Sequence, residues 1–516
     1  MLVLLPAASQ DGRPWPAHLI SAQDLPPSHL TSAFEPAPTM HVASNLLGGA
    51  LLLPLTQAAV PLFSDYHFNP LEHLGGVAPY FEPLDPEIDP SAPQGCTPVR
   101  AAYLVRHAAI YANDFDYEEY MEPFISKFQN ITSIDWSKIP DLSFLNKWSP
   151  PISEAESELL TRVGKLEATE LGASMSFRYP NLKLPKKIWT SSAERTYESA
   201  KALIRGFEPA GQDDTISLVS VYESKEGGAD NLTPYTACPK YSSSAGSDQS
   251  SVYLKKFTKP IMARLNAAAP EFNFTAQDVY GMMQLCGYES VIRGSSPFCD
   301  LDLFSPDDWL AWEYTADVQY HYNTGYGSEV SGPIGLPWVN ATAGLLMAEP
   351  GSPDVQDLYV SFTHRELPPT VLVAMGLFNN SAFGGSEATI NDTMPSDRIN
   401  HRRAWKSSRV LPFMTNIAFE RLNCTGSYGY DDGDYYRVLV NNAPQPLPDC
   451  GDGPGTTCSR STFETWVQDR ADKFSGFSDK CGTASKYDNS TDAVTFYSDK
   501  SENGTFVGKR NLYDQE

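Results

Sequence analysis

Two short apolar runs, at residues 98–105 and 358–363, each stop at charged side chains. These are Arg106 and His107 after the first run, and His364, Arg365 and Glu366 after the second. A strand buried in a parallel sheet has this nearly continuous apolar pattern, and α/β proteins bind ligands at the carboxyl ends of such strands. The pattern therefore predicts an α/β fold with polar side chains gathered at a sheet edge.

The rest of the chain alternates between helical and strand-like patterns. Helical patterns cover residues 153–179, 193–207, 252–268, 276–292, 307–314, 337–347, 368–377 and 463–474. Further strand-like runs cover residues 186–190, 217–222, 410–422 and 436–441. Residues 225–305 therefore form a largely helical insertion between strands.

The longest helical pattern, residues 153–179, has a capping-box signature at its start, formed by Ser153 and Glu156. Its apolar positions are Leu159, Leu160, Val163, Leu166, Leu171, Met175 and Phe177. We expect these side chains to form the buried face of one amphipathic helix.

Arg195 lies in the first turn of the helix predicted over residues 193–207. The helix dipole disfavours a cation there, so one interpretation is an anionic ligand shared by the arginine and the helix N-terminus. The alternative is an ordinary solvent-facing arginine.

Composition narrows the choice of partners. The 516 residues are 41% hydrophobic and 20% charged, which is enough apolar content for one or two domains. The net charge of −25 argues against nucleic acid and anionic membranes as partners. An anionic small molecule would need a local basic pocket, and acidic pH would weaken the global repulsion.

Cysteines and glycosylation sequons predict a secreted glycoprotein. The cysteine count is eight, which suits disulfides, and the chain has many N-x-[ST] sequons. The sequons begin at Asn130, Asn231, Asn273, Asn340, Asn379, Asn391, Asn423, Asn489 and Asn503. The alternative is chance occurrence in a chain rich in Asn, Ser and Thr.

Both ends of the chain lack a globular pattern. Residues 1–39 are rich in Pro, Ser and Ala, and Met40 opens a short apolar core followed by small residues near Ala59, typical of a signal peptide. We expect residues 1–59 to be an extension plus a signal peptide that starts at Met40. The main domain then spans residues 60–482, and residues 483–516 form a polar tail.

The two strand ends suggest phosphate chemistry. Arginine binds phosphate bidentately, one histidine can attack phosphorus, and a carboxyl group can supply a proton. The alternative for any single strand-end histidine is a structural role. Metal and nucleotide-loop motifs are absent from the sequence, so we expect no cofactor and no metal.

The chain resembles the fungal histidine acid phosphatases, the branch of the histidine phosphatase superfamily that includes phytases and multiple inositol polyphosphate phosphatases. The family motif R-H-G-x-R-x-P corresponds to residues 106–112, and the second catalytic motif to residues 364–366. Further matches occur at residues 75–81, 160–172, 190–195, 375–378, 405–408 and 438–441.

The resemblance implies a role for each matching residue. His107 is the expected nucleophile, which forms a phosphohistidine, and Glu366 is the expected proton donor. The implied phosphate-binding residues are Arg106, Arg195 and His364, and His364 also counts as catalytic. Arg365 is a further candidate for binding phosphate, at a position that departs from the family pattern. The implied fold is a large α/β domain with a central, mainly parallel sheet flanked by helices (phosphoglycerate mutase-like). A smaller, mostly helical subdomain is inserted at about residues 120–150 and 225–340.

The resemblance also implies how the eight cysteines pair. The implied disulfides are Cys96–Cys424, Cys238–Cys481, Cys286–Cys299 and Cys450–Cys458.

Three positions depart from the family motif. Ala108 replaces its glycine, Ile110 replaces its second arginine, and Arg365 replaces the aspartate of the H-D motif. Loss of one phosphate-binding arginine costs about 2–4 kcal/mol in transition-state stabilisation. Arg365 either restores positive charge to the pocket or points away from it.

The leading functional hypothesis is a secreted, metal-independent acid phosphomonoester hydrolase with a small-molecule substrate, in the class of inositol phosphates or simpler phosphomonoesters. The alternatives are a catalytically silent secreted member of the fold, favoured by Ile110 and Arg365, and a member that uses the pocket for other chemistry. Phytate requires a broad basic rim, and the chain has 38 basic against 63 acidic residues.

Overall fold

The computed structural model describes residues 67–83, 86–207, 216–349, 355–380, 393–483, 491–498 and 506–507. The predicted extension and signal peptide lie outside these residues. Within the described part of the chain, no helix is long and apolar enough to cross a membrane.

The described strands form one mixed sheet. They are β1 (Cys96–Arg106), β2 (Lys187–Ser191), β3 (Ser217–Val221), β4 (Leu358–Thr363), β5 (Asn416–Cys424), β6 (Gly433–Val440), β7 (Ala443–Gln445), β8 (Cys458–Ser459) and β9 (Phe506–Val507). Their order is β7-β6-β5-β1-β4-β2-β3-β9, with β8 paired to β6. Pairing is parallel from β1 through β4, β2 and β3 to β9, and antiparallel from β1 through β5 and β6 to β7. The α/β class is confirmed, and the parallel half of the sheet carries both predicted strand ends.

Helices cover both faces of the sheet. In β1, Ala101, Tyr103 and Val105 face a core shared with the helices Arg162–Arg178 and Glu194–Phe207. The intervening Ala102 and Leu104 face a core shared with the helices Ser331–Met347, Leu367–Met375 and Arg460–Phe474. Because successive strand residues point to opposite faces, an all-apolar strand buries both sets.

A third core lies within the helical insertion. It is built by the helices Glu122–Asn130, Ser247–Ala268, Ala276–Arg293 and Pro306–Asn323, together with short turns at residues 136–146. The remaining described helices are short: Asp114–Asp116, Ser407–Val410, Phe477–Cys481 and the π-helical turn Tyr117–Met121. The predicted insertion includes the first part of the helix Ser331–Met347, but this helix packs against the sheet.

The long helix predicted over residues 153–179 is wrong at its start and on its buried face. Ser153 does bond to Glu156, but this box closes a 3₁₀ turn, and the helix begins only at Arg162. Leu171 and Met175 are buried as predicted, but Leu166 and Phe177 are exposed. The helix also packs through its small residues, because a Cβ on Gly172 would lie 2.2 Å from the carbonyl oxygen of Leu203. Close backbone approach therefore defines this face together with the two buried side chains.

The described residues beyond position 483 are not a free polar tail. Strand β9 pairs with β3, and Phe496 is buried in the core on one face of the sheet. All four implied disulfides are formed, and none of the cysteines is free: Cys96–Cys424, Cys238–Cys481, Cys286–Cys299 and Cys450–Cys458.

Candidate active site

The two strand ends lie side by side. Strands β1 and β4 are parallel neighbours with Arg106 opposite Thr363, and the His107 amide donates to the Thr363 carbonyl over 2.9 Å. The His107 and His364 rings are therefore close, with centroids 5.7 Å apart. A pocket of about 190 Å³ opens there. Its lining residues are Arg106, His107, Ile110, Asn113, Asp114, Phe115, Glu158, Arg195, His364, Arg365 and Glu366.

His107 presents one ring nitrogen to the pocket as a free base. Its Nδ1 lies 2.9 Å from the Ala108 carbonyl oxygen, which can only accept, so Nδ1 carries the proton and Nε2 keeps its lone pair. Burial, and then the charges of Arg106 and Arg195, hold the pKa of His107 well below its ordinary value. The imidazole therefore stays neutral and nucleophilic in acidic solution.

Arg106 is a buried cation without an acidic partner in the described residues. Its Nη1 donates to the carbonyl oxygens of Gly76 and Leu411, and its guanidinium lies 4.4 Å from the centroid of the Phe413 ring. Burial, and then repulsion by Arg365, lowers its pKa to about 10, so the group remains charged at neutral pH. Such a charge stabilises an anion bound in the pocket.

Arg195 is the second residue of the helix Glu194–Phe207 and faces the same pocket. Its Nη1 lies 2.7 Å from a Glu158 carboxylate oxygen. Ser199, one turn later, accepts from the Ala108 amide and donates to the Arg195 carbonyl. The helix start and the segment after β1 are thus tied together, which fixes Arg195 relative to His107.

Glu223, which the sequence analysis missed, holds His364. Its carboxylate lies 3.0 Å from His364 Nε2, and it also accepts from the Ser191 hydroxyl and the Ala193 amide. Burial alone would raise the pKa of Glu223, but the hydrogen bonds, led by that with His364, lower it to about 2. The carboxylate therefore fixes a proton on Nε2 and leaves Nδ1, which is buried without a hydrogen-bond partner, for the pocket.

Arg365 lines the pocket and lies between two carboxylates. Its Nε donates to Glu366 over 3.0 Å, and its Nη1 lies 3.8 Å from Asp116. Burial would raise the pKa of Glu366, but the charges of Arg365 and then His364 outweigh it and lower that pKa. Glu366 is therefore an anion at neutral pH and takes up its proton only in acid.

The three residues that depart from the family motif lie in or next to the pocket. Ile110 is buried at the pocket wall, where its backbone pairs with that of Leu160. Ala108 is fully buried beneath the helix Glu194–Phe207. The guanidinium of Arg365 stands in the same pocket, so three arginines line it although Ile110 is apolar.

Comparison with known proteins identifies this constellation. The profile of the histidine phosphatase superfamily, branch 2, matches residues 102–441, which contain all six predicted site residues. The chain belongs to this superfamily.

Curated relatives of this superfamily align along most of the chain. The acid phosphatase PHO1 of Komagataella pastoris is 29% identical over 452 residues, 84% of this chain and 90% of that protein. The phytase PHO112 of Candida albicans is 29% identical over 482 residues, 88% of this chain and 96% of that protein. The predicted enzyme class is confirmed: the chain is a phosphoric monoester hydrolase of the histidine phosphatase superfamily. The catalytically silent alternative is not supported over it.

Solved structures support the superfamily fold. The phytase from D. castellii superimposes with a TM-score of 0.73 over 85% of this chain and 93% of that one, at 22% identity. A Bifidobacterium longum multiple inositol polyphosphate phosphatase, in complex with inositol hexasulfate, gives a TM-score of 0.52 over 75% and 95%, at 14% identity. The predicted architecture of this histidine phosphatase is therefore confirmed.

The sequons of this histidine phosphatase differ in accessibility. Asn130, Asn273 and Asn423 are exposed, and Asn340 and Asn379 are half-buried. Asn391, Asn489 and Asn503 lie outside the described residues. Asn231 is buried, and its side-chain amide donates to the carbonyls of Ser224 and Gly228. Its burial and these two hydrogen bonds argue against a glycan at Asn231, because its amide nitrogen is engaged in the fold.

Proposed function

We propose that this enzyme hydrolyses phosphomonoesters at acidic pH through a phosphohistidine on His107. The observation that carries the proposal is the ring orientation: Nδ1–H is held by the Ala108 carbonyl, and Nε2 is a free base beside Arg106. Nε2 attacks phosphorus, the P–O bond to the alcohol breaks, and the phosphoryl group moves to His107. Water then attacks the phosphohistidine and releases inorganic phosphate.

The phosphoryl oxygens are bound by Arg106, Arg195 and Arg365, with His364 donating from Nδ1 when it is protonated. Arg106 supports this proposal as a buried cation with no carboxylate partner in the described sequence. Charge-assisted, bidentate contacts of this kind are the strongest that a protein offers to a phosphoryl group, and they strengthen as charge builds in the transition state.

Glu366 donates the proton to the leaving alcohol and recovers one from the attacking water. Its lowered pKa means that the free enzyme protonates it only in acid. A bound phosphate monoanion offsets the arginine charges that lower this pKa, so binding favours the protonated, donating form. His107 stays neutral under the same conditions, and the combination supports an acidic pH optimum.

Glu223 is a positioning residue in this mechanism. It does not touch the substrate but orients His364 through Nε2, so that Nδ1 faces the phosphate. A carboxylate behind an imidazole fixes its tautomer and its ring orientation.

The substrate class and the location of the enzyme are part of the same proposal. The candidate substrates are inositol phosphates and simpler phosphomonoesters, since one relative is named a phytase and another an acid phosphatase. We infer secretion from the exposed sequons, the four disulfides and the predicted signal peptide.

Hydrolysis of an aryl phosphate and of phytate, measured between about pH 3 and pH 7, tests this function. Wild-type enzyme should release phosphate with an acidic optimum, and His107→Ala should abolish the activity. His401→Ala, at an exposed histidine outside the pocket, is the matched control and should retain it. Activity that survives in His107→Ala would exclude the proposed nucleophile.

A further inference from the structure

An exposed aromatic ring lies at the mouth of the pocket, and other aromatic rings pack behind it. Phe115 lines the pocket and is 56% exposed, and it contacts Tyr120 edge-on with centroids 5.8 Å apart. Tyr120 packs on Tyr280 at 4.6 Å, and Tyr280 stacks on the buried Trp312 at 5.4 Å. A row of four rings therefore runs from the helical core to the pocket mouth.

The backbone that carries Phe115 is fixed. The Asn113 side chain caps the short helix Asp114–Asp116 and donates to the Asp116 carboxylate, which also accepts from the Tyr288 hydroxyl over 2.6 Å. An exposed apolar side chain gains nothing from solvent, and here the capped turn and the ring of Tyr120 set its position. Its free face is available to a bound molecule.

The charged groups of the pocket balance. The lining cations are Arg106, Arg195 and Arg365, and the lining anions are Asp114, Glu158 and Glu366. Arg106 lies at the buried end, whereas the two acidic groups of the rim are more accessible: Asp114 is exposed and Glu158 is half-buried. Glu158 also pairs with Arg195, so that arginine is not free to bind a second phosphate farther out.

One phosphoryl group therefore meets three arginines, but a second phosphate at the mouth meets carboxylates. Like charges at such a rim disfavour binding, and the penalty rises with the number of peripheral phosphates. An uncharged aromatic group can instead pack against the ring of Phe115. Offset or edge-on aromatic pairs are favourable beyond their buried area, so this contact strengthens binding.

Resting on the function proposed above, we propose that the preferred substrate is a phosphomonoester with an uncharged aromatic leaving group, packed against Phe115, and not a polyphosphorylated inositol. Phe115 and Asp114 are then the specificity-determining residues of the pocket mouth. Phe115 attracts the aromatic group, and Asp114 repels peripheral phosphates.

The test compares kcat/KM for 1-naphthyl phosphate, 2-glycerol phosphate and inositol hexakisphosphate in wild type and variants. Each variant is compared with wild type on the same substrate, so that the intrinsic reactivity of the leaving group cancels. Phe115→Ala should lower kcat/KM for naphthyl phosphate about 2- to 10-fold more than for glycerol phosphate. Phe115→Tyr keeps an aromatic ring at this position and should retain the wild-type kcat/KM for naphthyl phosphate. Phe177→Ala, at an exposed ring outside the pocket, is the control.

Asp114→Asn should raise kcat/KM for the hexakisphosphate about two- to fivefold relative to naphthyl phosphate, more at low salt than at high salt. Asp469→Asn, an exposed acid far along the chain on the helix Arg460–Phe474, should leave that ratio unchanged.

Two failures are distinguishable. If wild type hydrolyses none of the three esters, or if His107→Ala retains activity, the proposed function itself fails. If the enzyme is active but prefers the hexakisphosphate, or if Phe115→Ala lowers kcat/KM equally for all three substrates, only the inference on specificity is overturned.

Discussion

Replacing Glu223 by glutamine tests how the second histidine works. The change removes one negative charge but keeps an oxygen able to accept from His364 Nε2, Ser191 and Ala193. His364 then loses the charged acceptor that orients its ring, so its contact with the phosphoryl group weakens. A hydrogen bond to a charged group contributes about 1.5–3 kcal/mol, so we expect kcat to fall about 10- to 150-fold with a smaller change in KM.

The same substitution has a predicted effect on stability. The pKa of Glu223 is about 2 in the folded protein against 4.5 ordinarily, so its ionisation stabilises the fold by up to about 3 kcal/mol above pH 5. Because the folded pKa is the lower one, this stabilisation is present above the ordinary pKa and is lost as pH falls towards 2. The difference in free energy of unfolding between wild type and Glu223→Gln should shrink from about 3 kcal/mol at pH 6 to about 1 kcal/mol at pH 3.

Steady-state kinetics and urea unfolding at both pH values measure these effects, with Glu329→Gln, at an exposed glutamate outside the pocket, as the control. A Glu223→Asp variant that recovers part of kcat would support positioning by the carboxylate. Wild-type kcat in Glu223→Gln, or a stability difference that does not change with pH, would refute the reasoning.

Three further predictions concern other groups. Glu366→Gln removes the proton donor, so kcat should fall about 10²- to 10⁴-fold for an alkyl phosphate. The fall should be much smaller for p-nitrophenyl phosphate, because its leaving group needs no proton. Equal losses of kcat on both substrates would contradict general acid catalysis. Arg365→Leu removes one of the three arginines that line the pocket, so kcat/KM should fall about 30- to 1000-fold. Adding Ile110→Arg to this variant should restore part of the lost kcat/KM. Unchanged kinetics in Arg365→Leu would mean that Arg365 contacts no phosphate. Asn231→Ala removes the two hydrogen bonds that the buried Asn231 amide donates to backbone carbonyls, and it should lower the free energy of unfolding by about 1–3 kcal/mol. Mass spectrometry of wild type should find no glycan at this position, and a glycosylated Asn231 would overturn its assignment to the core.

The strand ends were readable from sequence because burial and chemistry coincide there. Apart from Arg100, which the structure shows to be buried, residues 98–105 have no charged side chain before Arg106, so the change in pattern marks the sheet edge. The pairing of β1 with β4 could not be deduced from the pattern, since about 250 residues and the whole helical insertion separate them. The resemblance to a known family supplied that link.

Other features needed coordinates because the decisive contacts are distant or involve backbone. Glu223 follows the predicted strand at residues 217–222, so the strand-end argument applied to it, but only the fold brings it to His364. Leu166 and Phe177 fit a helical stripe yet lie exposed, because the helix packs through glycines that allow close backbone approach. For Arg365, the sequence left both orientations open, and the structure has the side chain in the pocket.

Trapping the covalent intermediate tests the central claim most directly. Enzyme mixed with an excess of ³²P-labelled phosphomonoester, quenched within milliseconds at alkaline pH and digested, should carry label on the peptide that contains His107. Mass spectrometry should locate the phosphoryl group on that ring, and His107→Ala should take up no label while His401→Ala labels as wild type. Turnover without labelled protein, or label on a residue other than His107, would contradict the account.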